Sequence, residues 1–221
     1  MTELASAKTA APAAPPARRG EIFLRALGAD AGRLHPRILE QMRAEGARER
    51  AEGVFEVAGS RFGRLSALAR PIVGQRMLVT RHARNVPFSL TTDSRLDERG
   101  RAVLDSAREF RFADGAQYIT DRLTESIRPG LVRNLLGARG RVELIEECSV
   151  TAEGFLRMRT RRIALRFGGR RFALRGILGI RVDLVDGWDA VRERRTIDMR
   201  ATNPVVGTVL EYRGWYRPQA L

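Results

Sequence analysis

The spacing of apolar residues changes along the chain and divides it into two kinds of structure. Near the N-terminus apolar residues recur at helical spacing in Glu21–Leu27 and again after Pro36. A third helical pattern covers residues 61–73, where Pro71 and Gly74 end it. We therefore predict three short helices in the first third of the chain.

Further along, the apolar spacing changes to two, which is typical of strands. Four segments alternate in this way over part of their length: residues 86–96, 102–112, 117–127 and 142–150. Turn signals such as Asp114-Gly115 and Pro129-Gly130 separate them. Because a parallel pair needs a crossover of about a dozen residues or more, these short turns predict antiparallel pairing.

The clearest hairpin lies around Gly168-Gly169, a pair that suits a two-residue type I′ turn. This turn places Leu165 opposite Phe172 on one face. The other face carries four arginines in opposing pairs, a candidate anion-binding site: Arg162, Arg166, Arg171 and Arg175. The arginines change phase near Arg161 and Arg162, which predicts a β-bulge or a strand break there.

These patterns predict an α+β fold, with short N-terminal helices packed on a strongly curved antiparallel sheet that forms a half-barrel or a barrel. Residues 1–19 are rich in Ala and Pro and show no apolar periodicity, so we predict a disordered leader. Residues 20–221 are long enough to build one α+β domain with its own core.

The composition is strongly basic, with 40 Lys and Arg against 26 Asp and Glu, and a net charge of +14. Lys8 is the only lysine, and the arginines are spread along the chain, which favours an Arg-rich solvated surface over a nucleic-acid-binding tail. Cys148 is the only cysteine, so the chain cannot form an internal disulfide. We expect a cytoplasmic protein.

The sequence shows no arrangement of catalytic residues. It has only two histidines, His35 and His82, and no G-x-G-x-x-G, P-loop or zinc-protease motif. We therefore predict a binding domain without cofactor or metal. The alternative is an enzyme that uses Asp121 or Glu125 as a base, which requires a carboxylate with a raised pKa in a cleft.

Candidate ligand contacts lie on two strands. Arg108, Phe110 and Phe112 share one strand face, where two rings beside a guanidinium suit an amphipathic ligand. The simpler interpretations are a core strand with one arginine and, for Asp121 and Glu125, a structural ion pair with Arg108 or Arg111. The candidate ligand-binding set is Arg108, Phe110, Phe112, Tyr118, Asp121, Tyr212 and Trp215.

Several short motifs carry a family resemblance. They are Asn85-Val86-Pro87-Phe88, Arg108-x-Phe110-x-Phe112 with Asp121, Leu27-Gly28-x-Asp30, and Pro204-x-x-Gly207 followed by Tyr212-x-Gly214. In this order the chain resembles an uncharacterised bacterial domain family whose members occur alone or behind saccharopine-dehydrogenase-like NAD(P)-binding modules. The resemblance implies an association with an oxidoreductase and no particular activity.

We therefore expect a non-catalytic binding or accessory domain for a hydrophobic or amphipathic small molecule, serving a partner NAD(P)-dependent oxidoreductase. The alternative is a basic surface module that binds anionic lipid headgroups or nucleic acid through the four-arginine face. An anionic membrane surface suits this face better than nucleic acid does, because no lysine and few aromatic residues accompany the arginines.

Overall fold

The computed structural model describes residues 20–44 and 46–219, so the predicted leader lies outside the described residues. Three α-helices are present in this part of the chain: α1 (Glu21–Leu27), α2 (Pro36–Ala44) and α3 (Arg70–Val73). Short 3-10 helices cover Gly28–Arg33, Gly63–Ala69 and Gly176–Leu178. The first two predicted helices are confirmed. The third forms as 3-10 turns followed by one α turn, because Pro71 and the left-handed Gly63 and Gly74 interrupt it.

Antiparallel strands make up most of the described chain. In chain order they are β1 (Arg48–Gly59), β2 (His82–Leu96), β3 (Ala102–Phe112), β4 (Gly115–Glu125), β5 (Leu131–Leu136), β6 (Val142–Val150), β7 (Leu156–Phe167), β8 (Arg170–Ala173), β9 (Arg181–Asp189), β10 (Arg194–Asn203) and β11 (Gly207–Gln219). The fold is thus predominantly β, and the prediction of an α+β class was wrong in its balance: the helices are too short to form a layer.

Ten of the strands close into a barrel. The order runs from β6 back through β5, β4, β3 and β2 to β1, then through β11, β10 and β9 to β7, and pairing of β6 with β7 closes the ring. Strand β8 adds to β7 outside the ring. Closure leaves the ten strands without a free edge. The predicted barrel is therefore confirmed.

Close strand contact at the β1–β11 seam depends on glycine. Gly214 lies opposite Phe55, and a Cβ atom on Gly214 would overlap the backbone carbonyl oxygen of Val54. Gly53 is equivalent on β1, where a Cβ atom would overlap the carbonyl oxygen of Trp215. These glycines let the two backbones approach closely.

The two ends of the barrel are covered differently. At one end, which we call the helix end, Ile22, Ile38 and Met42 of α1 and α2 pack against inward residues such as Leu104 and Leu156. At the other, which we call the lid end, residues 60–81 connect β1 to β2 and carry α3. We call residues 60–81 the lid segment.

The predicted hairpin around Gly168-Gly169 forms over four residue pairs, but the predicted pairing of Arg162 with Arg175 lies beyond the ladder. Both glycines have positive φ, and Leu165 pairs with Phe172 and Arg166 with Arg171. The register of β7 against β6 shifts between Thr160 and Arg162, so the predicted bulge is also confirmed. The ladder between β7 and β8 ends at Ala173, and Arg175 precedes a 3-10 helix.

Candidate functional site

The barrel encloses a cavity of about 500 Å³. Small-molecule sites typically have about 300–1,000 Å³ and are mainly apolar with a few polar groups. The wall here follows the same rule, because inward positions of most strands are aliphatic or aromatic. Representative wall residues are Phe55, Leu90, Leu123, Leu144, Leu184 and Met199.

The lid segment contributes the lining at one end of the cavity. Phe62, Leu65, Ala69 and Val73 all line it. Their spacing of three and four residues is that of a helical face, so the 3-10 and α turns present one apolar side to the barrel interior. The cavity is therefore lined both by strands and by a connecting segment.

A polar strip crosses the otherwise apolar wall from β3 to β6. We call it the polar wall: Ser106, Arg108, Asp121, Asn134 and Glu146, all lining the cavity. Asp121 Oδ1 accepts hydrogen bonds from Ser106 Oγ at 2.6 Å and from Arg108 Nη1 at 3.1 Å. Asn134 Nδ2 donates to Glu146 Oε2 at 2.9 Å. The expected ion pair between Asp121 and Arg108 is confirmed.

Two acceptor atoms of the polar wall lack a hydrogen-bond partner among the residues that the structure describes. They are Asp121 Oδ2 and Asn134 Oδ1, and their side chains belong to residues only 4% and 8% exposed. A buried acceptor without a donor costs about 1–3 kcal/mol. A hydroxyl or amine brought into the cavity can supply that donor.

Glu146 has the most perturbed carboxyl group of the site. The pKa of the Glu146 carboxyl group is raised to about 7, chiefly by burial and in lesser part by the charge of Asp121, while the hydrogen bond from Asn134 and the charge of Arg108 act in the opposite direction. The carboxyl group therefore titrates near neutral pH, so that it can donate or accept a hydrogen bond.

A second polar group lies across the barrel. Arg195 is 2% exposed and forms a bidentate ion pair with Asp186, at 3.1 Å from Nε to Oδ1 and 2.6 Å from Nη2 to Oδ2. Tyr216 donates its hydroxyl to the same carboxylate at 2.9 Å, and Gln41 of α2 accepts from Arg195 Nη1 at 3.3 Å. This cluster ties the helix end to the barrel wall, which favours a structural role.

Three of the seven predicted ligand contacts line the cavity: Arg108, Asp121 and Tyr212. The Arg108 guanidinium lies 5.9 Å from the centre of the Tyr212 ring. Burial raises the pKa of the Tyr212 hydroxyl, so it stays protonated.

The other four predicted contacts lie away from the cavity wall. Phe110 packs in an aromatic core group, with ring centres 5.3 Å from Phe55 and 6.3 Å from Phe112. Tyr118 is 42% exposed and donates to Glu109, while Trp215 lies under Arg194 at 4.4 Å. Strand alternation explains both, because they are adjacent to inward residues and therefore point outward.

The four-arginine face is partly neutralised. Arg171 contacts Glu143 of the neighbouring strand β6, and Arg166 lies 3.7 Å from the same carboxylate. The sequence shows no acid near these arginines, and only strand pairing brings Glu143 to them. Arg162 and Arg175 have no carboxylate partner in the part of the chain that the structure describes.

Two further features limit the chemistry of the site. Burial, then the charges of Glu146 and Glu147, raise the pKa of the Cys148 thiol to about 12, so the thiolate needed for nucleophilic attack is not available. Within residues 20–44 and 46–219, no group of three or more His, Cys, Asp or Glu side chains could hold a metal ion.

Sequence reasoning missed Asn134, Glu146 and Asp186 as cavity residues. Each occupies an apolar phase of its strand: Val132, Asn134 and Leu136 on β5, Val142, Leu144 and Glu146 on β6, and Val182, Leu184 and Asp186 on β9. A polar residue at an inward position was the available signal. Glu146 is a carboxylate of the cavity wall whose pKa is raised, and it was not singled out from the sequence.

Comparisons with known proteins give one match. The model of the family described as Domain of unknown function (DUF4166) matches residues 34–216. No curated protein and no solved structure matches the chain.

Proposed function

We propose that the barrel of this chain, which belongs to the DUF4166 family, holds a hydrophobic or amphipathic small molecule. The observation that carries the proposal is the enclosed cavity of about 500 Å³ with an apolar wall. A ligand that leaves water for this wall gains free energy in proportion to its buried apolar area, at roughly 25 cal/mol per Å².

The polar wall supports an amphipathic ligand over a pure hydrocarbon. Asp121 Oδ2 and Asn134 Oδ1 are acceptors without donors in the described structure, and Glu146 lies beside them. A ligand hydroxyl or amine that reaches this strip satisfies a buried acceptor, whereas a hydrocarbon leaves it unsatisfied. We therefore propose a mainly apolar ligand with one hydrogen-bond-donating group.

A role beside an oxidoreductase remains part of the proposal and rests only on the family resemblance in the sequence. It predicts that the chain co-purifies with an NAD(P)-binding protein from a cell that makes both. Retention of that partner on the immobilised chain would support delivery of the ligand to an enzyme. So would loss of the partner when enlarged wall side chains keep the ligand out of the cavity.

The direct test is titration with N-phenyl-1-naphthylamine, an uncharged aromatic amine that fluoresces in apolar surroundings. The test variant carries Leu144→Trp and Leu184→Trp, which enlarge two wall residues on different strands. The matched control is Leu178→Trp, the same substitution at a side chain 64% exposed to solvent.

The account predicts saturable binding by the wild type and by the Leu178 variant, and loss of binding when the wall residues are enlarged. Circular dichroism must show that the double variant keeps its strands. Equal binding by a folded double variant and the wild type would place the dye outside the cavity and would refute the proposal.

A further inference from the structure

The exposed apolar residues of the structure collect at one end of the barrel. Twelve large apolar side chains are exposed in the described chain, and nine of them belong to the lid end: Leu65, Leu68, Ile72, Phe167, Phe172, Ile177, Leu178, Val205 and Val206. Ile127 and Val191 lie on turns of the helix end, and Tyr118 on β4. Single exposed apolar residues need no explanation, but a contiguous group marks an interaction surface.

Strand topology explains why these residues share one end. The lid segment follows the C-terminal end of β1, and the β10–β11 turn with Val205 and Val206 is beside it because β11 pairs with both strands. The β7–β8 hairpin and the 3-10 helix Gly176–Leu178 lead into β9, which starts at the same end. The nine side chains therefore lie on elements that meet at the lid end of the barrel.

The lid segment is apolar on both of its faces. Phe62 and Val73 line the cavity, while Leu68 and Ile72 are 76% and 57% exposed and are not part of the cavity wall. Leu65 belongs to both faces, since it lines the cavity and is 68% exposed. This pattern suits a segment that contacts an apolar phase on its outer side.

The charge around this surface is predominantly positive. Residues 60–81 and 160–181 contain twelve arginines and no acid: Arg61, Arg64, Arg70, Arg76, Arg81, Arg161, Arg162, Arg166, Arg170, Arg171, Arg175 and Arg181. Acids from elsewhere pair with five of these: Arg61, Arg81, Arg161, Arg166 and Arg171. The other seven have no carboxylate partner among residues 20–44 and 46–219, so the lid end carries unbalanced positive charge.

We propose that the lid end docks onto a bilayer rich in anionic phospholipid. Leu68 and Ile72 enter the boundary between headgroups and acyl chains, as the apolar face of an interfacial helix does. Arginines such as Arg64 and Arg70 lie against the phosphates, where each cation near an anionic surface adds about 1 kcal/mol. None of the helices in the described chain is long and apolar enough to cross a membrane.

The test is co-sedimentation of the full chain with vesicles of phosphatidylcholine mixed with phosphatidylglycerol, beside vesicles of phosphatidylcholine alone. The apolar variant is Leu68→Gln with Ile72→Gln, and its matched control is Ile127→Gln with Val191→Gln at the helix end, both 89% exposed. The charge variant is Arg64→Gln with Arg70→Gln. Its control is Arg33→Gln with Arg37→Gln near α1 and α2, where both arginines are exposed.

We expect binding to the anionic vesicles only, and we expect both lid-end variants to weaken it by at least about tenfold, because they lose apolar burial or phosphate contacts. The two control variants should bind like the wild type. If the Leu68/Ile72 variant binds as well as its control, adsorption follows from net charge alone and the proposal is wrong. Equal binding to vesicles of phosphatidylcholine alone would also overturn it.

The membrane-docking proposal and the cavity-binding proposal can be refuted separately. None of Arg64, Arg70, Leu68 and Ile72 lines the cavity, so N-phenyl-1-naphthylamine should bind these variants as it binds the wild type. A protein that docks without binding the dye would contradict the proposed function and leave the docking surface intact. A protein that binds the dye without docking would contradict only the membrane inference.

Discussion

Replacing Glu146 by Gln should change how the stability of the protein depends on pH. Burial raises the pKa of the Glu146 carboxyl group from 4.5 to about 7 in the folded chain, whereas an unfolded chain exposes it to water. Between these values the folded state binds a proton that the unfolded state has released. Glutamine has nearly the same shape, can still accept from Asn134 Nδ2, and cannot titrate.

The sign and the size of the effect follow from proton linkage. Because the folded pKa is the higher one, the stabilisation is fully present below about pH 4.5 and is lost as the pH rises through about 7. Each unit of pKa difference corresponds to about 1.4 kcal/mol, so the shift amounts to about 3 kcal/mol. We compare the free energy of unfolding of the wild type with that of the variant. As the pH rises from about 4.5 to about 7, the wild-type value minus the variant value should fall by about this amount.

Urea denaturation of both proteins at a series of pH values measures this difference. The matched control is Glu147→Gln, which removes the neighbouring carboxylate beside Arg161. Subtracting each variant from the wild type cancels the other titrating groups. A difference that stays flat for Glu146→Gln, or that falls equally for both variants, would refute the assignment of Glu146 as a buried carboxyl of the cavity wall.

Other substitutions test the core and the seam. Phe110→Ala should destabilise the protein by about 3–5 kcal/mol in urea denaturation, because its ring is fully buried; a loss below about 1 kcal/mol would contradict core packing. Asp186→Ala should cost about 3–5 kcal/mol, because it removes the carboxylate that accepts two hydrogen bonds from the buried Arg195. Gly214→Ala should lower the melting temperature sharply, while Gly32→Ala, which meets open space, should not. Cys148 should react with a thiol reagent only after unfolding, and rapid native labelling would contradict its burial.

Local patterns were sufficient to predict much of the sheet. Strands β3 and β6 begin and end where apolar alternation and turn residues place them, and the Gly168-Gly169 turn fixes the register of the β7–β8 hairpin. Strands β1 and β5 were not predicted from the sequence. Strand β5 is short, and β1 lies between two helical segments, so neither has a strong pattern of its own.

The interior of the barrel could be predicted only in part. Arg108 and Asp121 were identifiable because they lie at inward positions of two adjacent strands. Nothing in the composition excluded Tyr118 and Trp215 as ligand contacts. They point outward because of their positions in the alternation of their strands. Contacts between distant strands, such as Glu143 against Arg171, depend on the barrel order and have no local signal.

The predicted class was wrong for a related reason. Residues 61–73 do have helical spacing, but they cover one end of the barrel and do not form a helical layer packed on the sheet. Its inner face lines the cavity through residues such as Phe62 and Val73, while Leu68 stays exposed. A one-dimensional pattern reports that a face is apolar and does not report what covers it.

The central claim is that the cavity holds a small molecule, and native mass spectrometry of the purified chain tests it most directly. The wild type and the Leu144→Trp/Leu184→Trp variant should be purified from the same host and compared. We predict one noncovalent small molecule on the wild type, released into organic solvent, and none on the variant. The same added mass on both proteins, or none on either, would contradict a ligand held inside the barrel.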